Sequence, residues 1–194
     1  MLNNMAVIVW GLGIVAWCAI RYPHQRRARK LGVAMHRRSV EERLLLAGTS
    51  IGLVALPVIW LSTQWPSSLN YTPHPAVQIG GMLVMAVFLW LFYAVHRQLG
   101  KNWSITLEIR EEHKLVTEGL FKHIRHPMYT SFWLWGIAQL MLLPNALAGA
   151  AGIVSVAALY FRRVYREEAM LRETFGADYD RYMSKTKRII PWLM

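Results

Sequence analysis

Three long intervals of this chain, residues 1–20, 44–96 and 127–161, contain no Asp, Glu, Lys or Arg. All 22 Lys and Arg and all 11 acids fall in the other three, 21–43, 97–126 and 162–194. A helix on the surface of a water-soluble domain carries a polar or charged face, and the uncharged intervals supply no charged one. Segments that cross lipid are expected to look like this, because a charge near the bilayer centre costs about 2.5 kcal/mol or more. A hydrophobic content of 55% against 17% charged residues points the same way. The net charge of +11 would otherwise suggest a nucleic-acid partner. Its confinement between apolar runs removes that class and leaves the lipid bilayer as the partner.

The intervals divide into an all-α integral membrane protein of five transmembrane helices. Span one covers 5–20, extended by Leu2 and Tyr22, with Trp10 and Trp17 as interfacial anchors. No basic segment precedes it, so a cleaved leader is not expected. Cys18, the one cysteine, has no partner in the chain for a disulfide and suits small apolar packing. Interval 21–43, with eight basic residues and two acids, reads as a topological anchor and a contact for anionic lipid. Span two, 44–61, holds Pro57 one turn from its end, which predicts a kink. The uncharged loop 62–75, with three prolines, is expected to be ordered near the headgroups with His74 on its surface. Span three runs over 76–96, where Gly80 and Gly81 permit close helix approach.

The apolar run 127–161 is 35 residues long, too long for one span, and splits at Pro144-Asn145. Each half is then about 25 Å long at about 1.5 Å per residue, enough for a tight helical hairpin. The small residues of 148–152 let its two helices approach. With five spans, the excess of Lys and Arg places the N-terminus outside and 21–43, 97–126 and 162–194 in the cytoplasm. The tail continues helically from span five, breaks at Gly176, and forms a second short helix over 178–183. Residues 189–193 make a last apolar segment that folds back.

No P-loop, GxGxxG, GxSxG or paired CxxC is present. His123 and His126 have i, i+3 spacing but no accompanying Cys or HExxH, so no metal is expected. His96, ending span three, reads as interfacial. The polar stretch 113–129 ends in Arg125-His126-Pro127, where proline suits the first position of a helix. The amides and positive dipole end of that helix would attract an anion, or the junction is an ordinary interfacial cap. The residues leave both open. Arg163 and Glu167, four apart, share one helix face, and Arg162 and Arg166 another.

Taken together, these residues resemble the isoprenylcysteine carboxyl methyltransferase family and the related phospholipid methyltransferases. The resemblance lies in His113-Lys114-Leu115-Val116 with Gly119, then Arg125-His126-Pro127-Met128-Tyr129. It continues in Arg163, Glu167-Glu168, Leu171, Phe175-Gly176, Tyr179, Tyr182, Arg188 and Pro191. Residues 100–104, Gly-Lys-Asn-Trp-Ser, are similar to the compact five-span microbial members. By motif it covers about 100–194, and by topology alone the first three spans. It implies two parts, an N-terminal three-span membrane region, 1–99, and a catalytic region, 100–194. The cytoplasmic cofactor-binding region would be built from the 97–126 loop and the C-terminal helices.

The resemblance implies S-adenosyl-L-methionine as cofactor. His113 and the backbone of Lys114, Leu115 and Val116 would hold its adenosine, and His126, Pro127, Met128 and Tyr129 its ribose and methionine portions. Glu167 would also contact the cofactor, and Arg163 would face the substrate carboxylate, which makes these two the catalytic candidates. Glu108 matches a further cofactor-contacting position. Phe121 stands where many members have Tyr, so a hydroxyl contact is lost there. The expected reaction is methyl transfer to the carboxylate of a lipidated cysteine or similar amphiphile. A lipid amine is the alternative acceptor. The sterol reductases, which bind NADPH and share a similar Arg-His-Pro pattern, have about twice the spans.

Overall fold

A computed structural model of the chain describes residues 2–28, 33–36, 39–104, 108–110 and 114–191. Helix α1 (Leu2–Ala28) passes through the first uncharged interval and continues, past an internal Pro23, into the basic one. Helices α2 (Val40–Ser50) and α3 (Leu56–Thr63) form one rod, joined by a π-helical turn over Ile51–Ala55. Helix α4 (Pro75–Leu99) follows the uncharged loop. The apolar hairpin is α5 (Pro127–Leu142) and α6 (Ala146–Phe175), and α7 (Ala177–Lys185) closes the chain. A short antiparallel pair, β1 (Val33–His36) with β2 (Glu108–Arg110), adds a ladder that the all-helical expectation lacked.

Among the described residues, four helical stretches are long and apolar enough to cross a membrane: α1, the Val40–Thr63 rod, α4 and α6. Helix α5, with 16 residues, extends about 24 Å at about 1.5 Å per residue. The outer faces carry exposed apolar side chains such as Leu12 (61%), Leu44 (67%), Leu83 (65%) and Val154 (65%). So extensive an apolar exterior is expected of a protein solvated by lipid. Cys18 is on that exterior too, exposed rather than packed inside.

The core forms where α1, α4 and α5 meet, around Trp10, Phe88, Phe92 and Trp135. Pro57 does not stop the rod. The π turn sends the Leu56 amide to Ile51 O, one residue beyond its ordinary α partner. Proline has no amide to offer, so the Gly52 carbonyl has no helical donor there. Gln139 of α5 supplies one at 3.0 Å, and also donates to Ala148 O at 2.7 Å. A side chain at Gly52 would lie 2.5 Å from the Ala151 carbonyl, so only glycine lets the rod approach α6 this closely. In the hairpin, a Cβ at Gly136 would meet the Ile153 backbone at 2.9 Å.

The hairpin turns at Pro144-Asn145 as expected, because Asn145 caps α6 by accepting from the Ala148 amide at 2.9 Å. Its amide group also reaches the loop before α4, donating to Asn70 Oδ1 at 2.7 Å. His74 is exposed in that loop and caps α4 through the Ala76 amide. Gly176, at φ +51°, ends α6, and α7 starts directly after it.

Candidate functional site

A cavity of about 400 Å³ opens among α1, α4, α5, α6 and the segment before α5. It is lined by residues 114–116, Phe121, residues 126–129, Arg163 and Glu167. These are the residues singled out by resemblance, brought to one place from distant parts of the chain. Of the other two, Glu108 is described only as backbone, opposite His36 in the β ladder. His113 lies outside the described residues.

The first wall is the segment between α4 and α5. Asn102 clasps the backbone of Lys114 from both sides, donating to its carbonyl at 3.1 Å and accepting from its amide at 3.4 Å. Gln98, at the end of α4, accepts from the Leu120 amide at 3.0 Å. Tyr182 of α7 donates its hydroxyl to Phe121 O at 2.6 Å, and burial pushes that phenol up to about 12.

Helix α5 then begins at Pro127, as the sequence predicts. Its Tyr129 and Thr130 amides turn back to the His126 carbonyl, at 3.0 and 3.2 Å. The first turn is therefore largely satisfied from within, and the ordinary cap, not the open anion cradle, describes it better.

The second wall is α6. Glu167 Oε2 accepts from the Tyr129 hydroxyl at 2.8 Å and lies 3.9 Å from Arg163 Nε. Its other oxygen is 3.8 Å from His126 Nδ1. Arg163 also faces Glu42 of α2 at 3.5 Å, with side chains only 11% and 3% exposed. Glu42 belongs to the interval read as a lipid-facing anchor. It is instead buried and holds Arg163 from a third element.

Glu168, one residue on, points elsewhere. Its carboxylate accepts from Arg125 (3.2 Å), His126 Nε2 (3.2 Å) and Arg188 (2.8 and 3.1 Å). The hydrogen bonds to Glu168 hold the Arg188 guanidinium well above its ordinary value. Arg125 donates to the carbonyls of Met183 and Thr186. The Arg125 and His126 amides pair with Lys187 O at 2.7 Å and Arg188 O at 2.9 Å. The tail is thus sutured along the junction that starts α5.

His96 is not interfacial. It is fully buried, and its Nδ1 donates to Phe92 O at 2.8 Å, which leaves Nε2 as the acceptor nitrogen. His96 Nε2, Trp135 Nε1 and the Tyr179 hydroxyl are buried around the cavity without a hydrogen-bond partner among the described residues. Buried polar atoms of this kind are rare unless a ligand or water meets them.

Residues 79–173 match the model described as the isoprenylcysteine carboxyl methyltransferase family. Protein-S-isoprenylcysteine O-methyltransferase B of Arabidopsis thaliana is 32% identical over 96 residues, 48% of this chain and 49% of that protein. The Schizosaccharomyces pombe protein-S-isoprenylcysteine O-methyltransferase is 31% identical over 96 residues, 48% and 41% of the two chains. The chain thus spans about half or less of the length of these relatives. A solved structure of the eukaryotic intramembrane Ras methyltransferase, an isoprenylcysteine carboxyl methyltransferase, covers 80% of this chain and 54% of that one. The TM-score is 0.55 at 23% identity, a likeness of fold, which makes this chain an integral, multi-pass helical membrane protein. The match to the isoprenylcysteine carboxyl methyltransferase family model thus runs from near the start of α4 to near the end of α6, just under half of the chain.

Proposed function

We propose that the chain is an S-adenosylmethionine-dependent methyltransferase that acts in the membrane on the carboxylate of an isoprenylcysteine-like lipidated acceptor. One observation carries this: residues 114–116, 126–129, Arg163 and Glu167 line one cavity, with an ionic wall and an aromatic wall. The family match over residues 79–173 and the names of the relatives support it. So does the cavity's size, about 400 Å³, within the range that takes a cofactor-sized ligand. The unpartnered polar atoms of His96, Trp135 and Tyr179 suit a ligand of mixed polarity. Residues 114–116 with His113 would hold the adenosine, and residues 126–129 with Glu167 the ribose and methionine portions.

When bound, S-adenosylmethionine supplies an electrophilic methyl group. A carboxylate acceptor is already a nucleophile at neutral pH, so the protein needs alignment and water exclusion more than a base. Arg163, fixed by Glu42 and Glu167, orients that carboxylate through its planar fork. Sharing the guanidinium with two carboxylates also keeps it from quenching the nucleophile. Burial of Arg163 and His126 keeps solvent off the reacting end, while a hydrocarbon tail enters between helices from the lipid. Helix α5 is counted as the fifth span, which puts the N-terminus outside and the charged intervals, with the cofactor wall, in the cytoplasm.

Membranes holding the chain, incubated with methyl-labelled S-adenosylmethionine and a farnesylated cysteine analogue, test the proposal. Labelled methanol released by alkali identifies the expected ester. Label stable to alkali identifies a lipid amine as acceptor instead. Transfer to neither overturns both.

A further inference from the structure

Arg21 belongs to the basic interval that reads from sequence as a topological anchor, yet its side chain lines the cavity. Its guanidinium lies between two indoles, with Cζ 5.1 Å from the Trp17 ring centroid and 5.7 Å from that of Trp103. Trp103 is in turn packed on His96, at 4.9 Å between rings, and His96 on Phe92 at 4.1 Å. The arginine is therefore held by a wall of rings rather than loose in solvent.

The other cavity-lining guanidinium groups are matched. Arg163 faces Glu42 and Glu167, and Arg125 faces Glu168. Arg21 has no carboxylate partner among the described residues, and Arg163 acts on it as a like charge across the cavity. Stacking on indoles suits a guanidinium and leaves its N–H edge available, but it does not replace a counter-ion. Two cations that repel each other across one cavity are both relieved by a single anion between them.

We propose that Arg21 binds the acceptor's carboxylate together with Arg163, so that the anionic end is held from α1 and α6 at once. This rests on the methyltransferase reading above. The acceptor is favoured over the cofactor as the source of the carboxylate because of what adjoins Arg21. Trp17 packs on Trp135 at 5.2 Å and Phe92 on Phe132 at 6.0 Å, and all four line the cavity. A hydrocarbon tail fits that aromatic surface, whereas the residues matched to the cofactor, Glu167 of α6 apart, lie on the segment before α5 and its first turn. The N–H edge of Arg21 offers donors and no acceptor, so it suits a carboxylate and not an ammonium, which favours ester formation over N-methylation.

The test is a titration of the full chain in detergent, without cofactor, read by tryptophan fluorescence. The ligands are N-acetyl-S-farnesylcysteine and its uncharged carboxamide. Arg21→Gln is expected to weaken binding of the acid about tenfold or more, to leave the amide nearly unchanged, and to spare S-adenosylmethionine affinity. Arg21→Lys should restore part of the acid preference. If Arg21→Gln weakens S-adenosylmethionine and leaves the acid-to-amide ratio alone, Arg21 serves the cofactor and the proposal is wrong. If acid and amide weaken together, Arg21 only shapes the wall, and the proposal is equally wrong. Should the Gln variant fail to fold, Arg21→Lys decides: a reduced acid-to-amide ratio supports the proposal and an unchanged one contradicts it. Lack of methyl transfer by the wild-type chain would end the methyltransferase reading without affecting this titration, which needs no turnover.

Discussion

Glu168→Gln removes one negative charge from the cluster that joins α6, the start of α5 and the tail. The Glu168 side chain is 4% exposed, and its partners Arg125 and Arg188 are 8% and 30% exposed. Removing one partner of a buried ion pair costs about 3–5 kcal/mol. Gln keeps one acceptor oxygen and Arg188 keeps some water, so the low end, about 3 kcal/mol, applies. For a chain of this length, a shift of about 2–4 °C per kcal/mol predicts a loss of about 6–12 °C in Tm. The assay is thermal unfolding in detergent, with tryptic cleavage at Lys187 as a second readout, because the tail is held through Arg125 and Arg188. Glu167→Gln is the control, since that carboxylate meets the Tyr129 hydroxyl and not the tail. If Glu168→Gln melted within about 1 °C of the wild type and Lys187 were cut no faster, the cluster would not be what fixes the tail.

Gly136→Ala should force α5 and α6 apart, because the new Cβ meets the Ile153 Cα at 2.9 Å and backbone cannot move aside. The cost is about 1–3 kcal/mol, visible as a lower Tm. Tyr182→Phe loses the donor to Phe121 O and should cost about 1 kcal/mol. The buried phenol titrates at about 12, above its unfolded value of about 10. Its contribution is therefore full below about pH 10 and lost as pH rises towards 12, so the wild-type and Phe variants should converge only in strong alkali. Glu42→Gln frees Arg163 from one of its two carboxylates and should lower kcat while sparing cofactor affinity, checked by turnover beside direct titration of S-adenosylmethionine.

The helices were legible because charge placement is a one-dimensional signal: each uncharged interval contains a helix of membrane length, α5 being shorter, and Asn145 and Gly176 marked real ends. Residues 126–129, Arg163 and Glu167 were legible through their motifs. Glu42, Arg21 and His96 were not, because nothing local separates a basic or polar residue at a helix end that faces lipid headgroups from one turned inward. Only the packing of α1, α2 and α4 around α5 and α6 decides it. The adjacent pair Glu167-Glu168 was equally opaque. Neighbouring helical residues point about 100° apart, and that rotation sends one carboxylate to Tyr129 and the other to Arg125 and Arg188. Pro57 was legible as a break in the hydrogen-bond ladder, whereas the π turn and the Gln139 side chain that meet the freed Gly52 carbonyl were not.

The central claim is that one cavity is divided between a methyl donor on the wall of residues 114–129 and an acceptor carboxylate on Arg163. Arg163→Ala, measured for turnover and for S-adenosylmethionine affinity on the same preparation, tests it most directly. The account predicts that methyl transfer is abolished while cofactor affinity changes little. Loss of cofactor affinity, or turnover that survives the substitution, would contradict it.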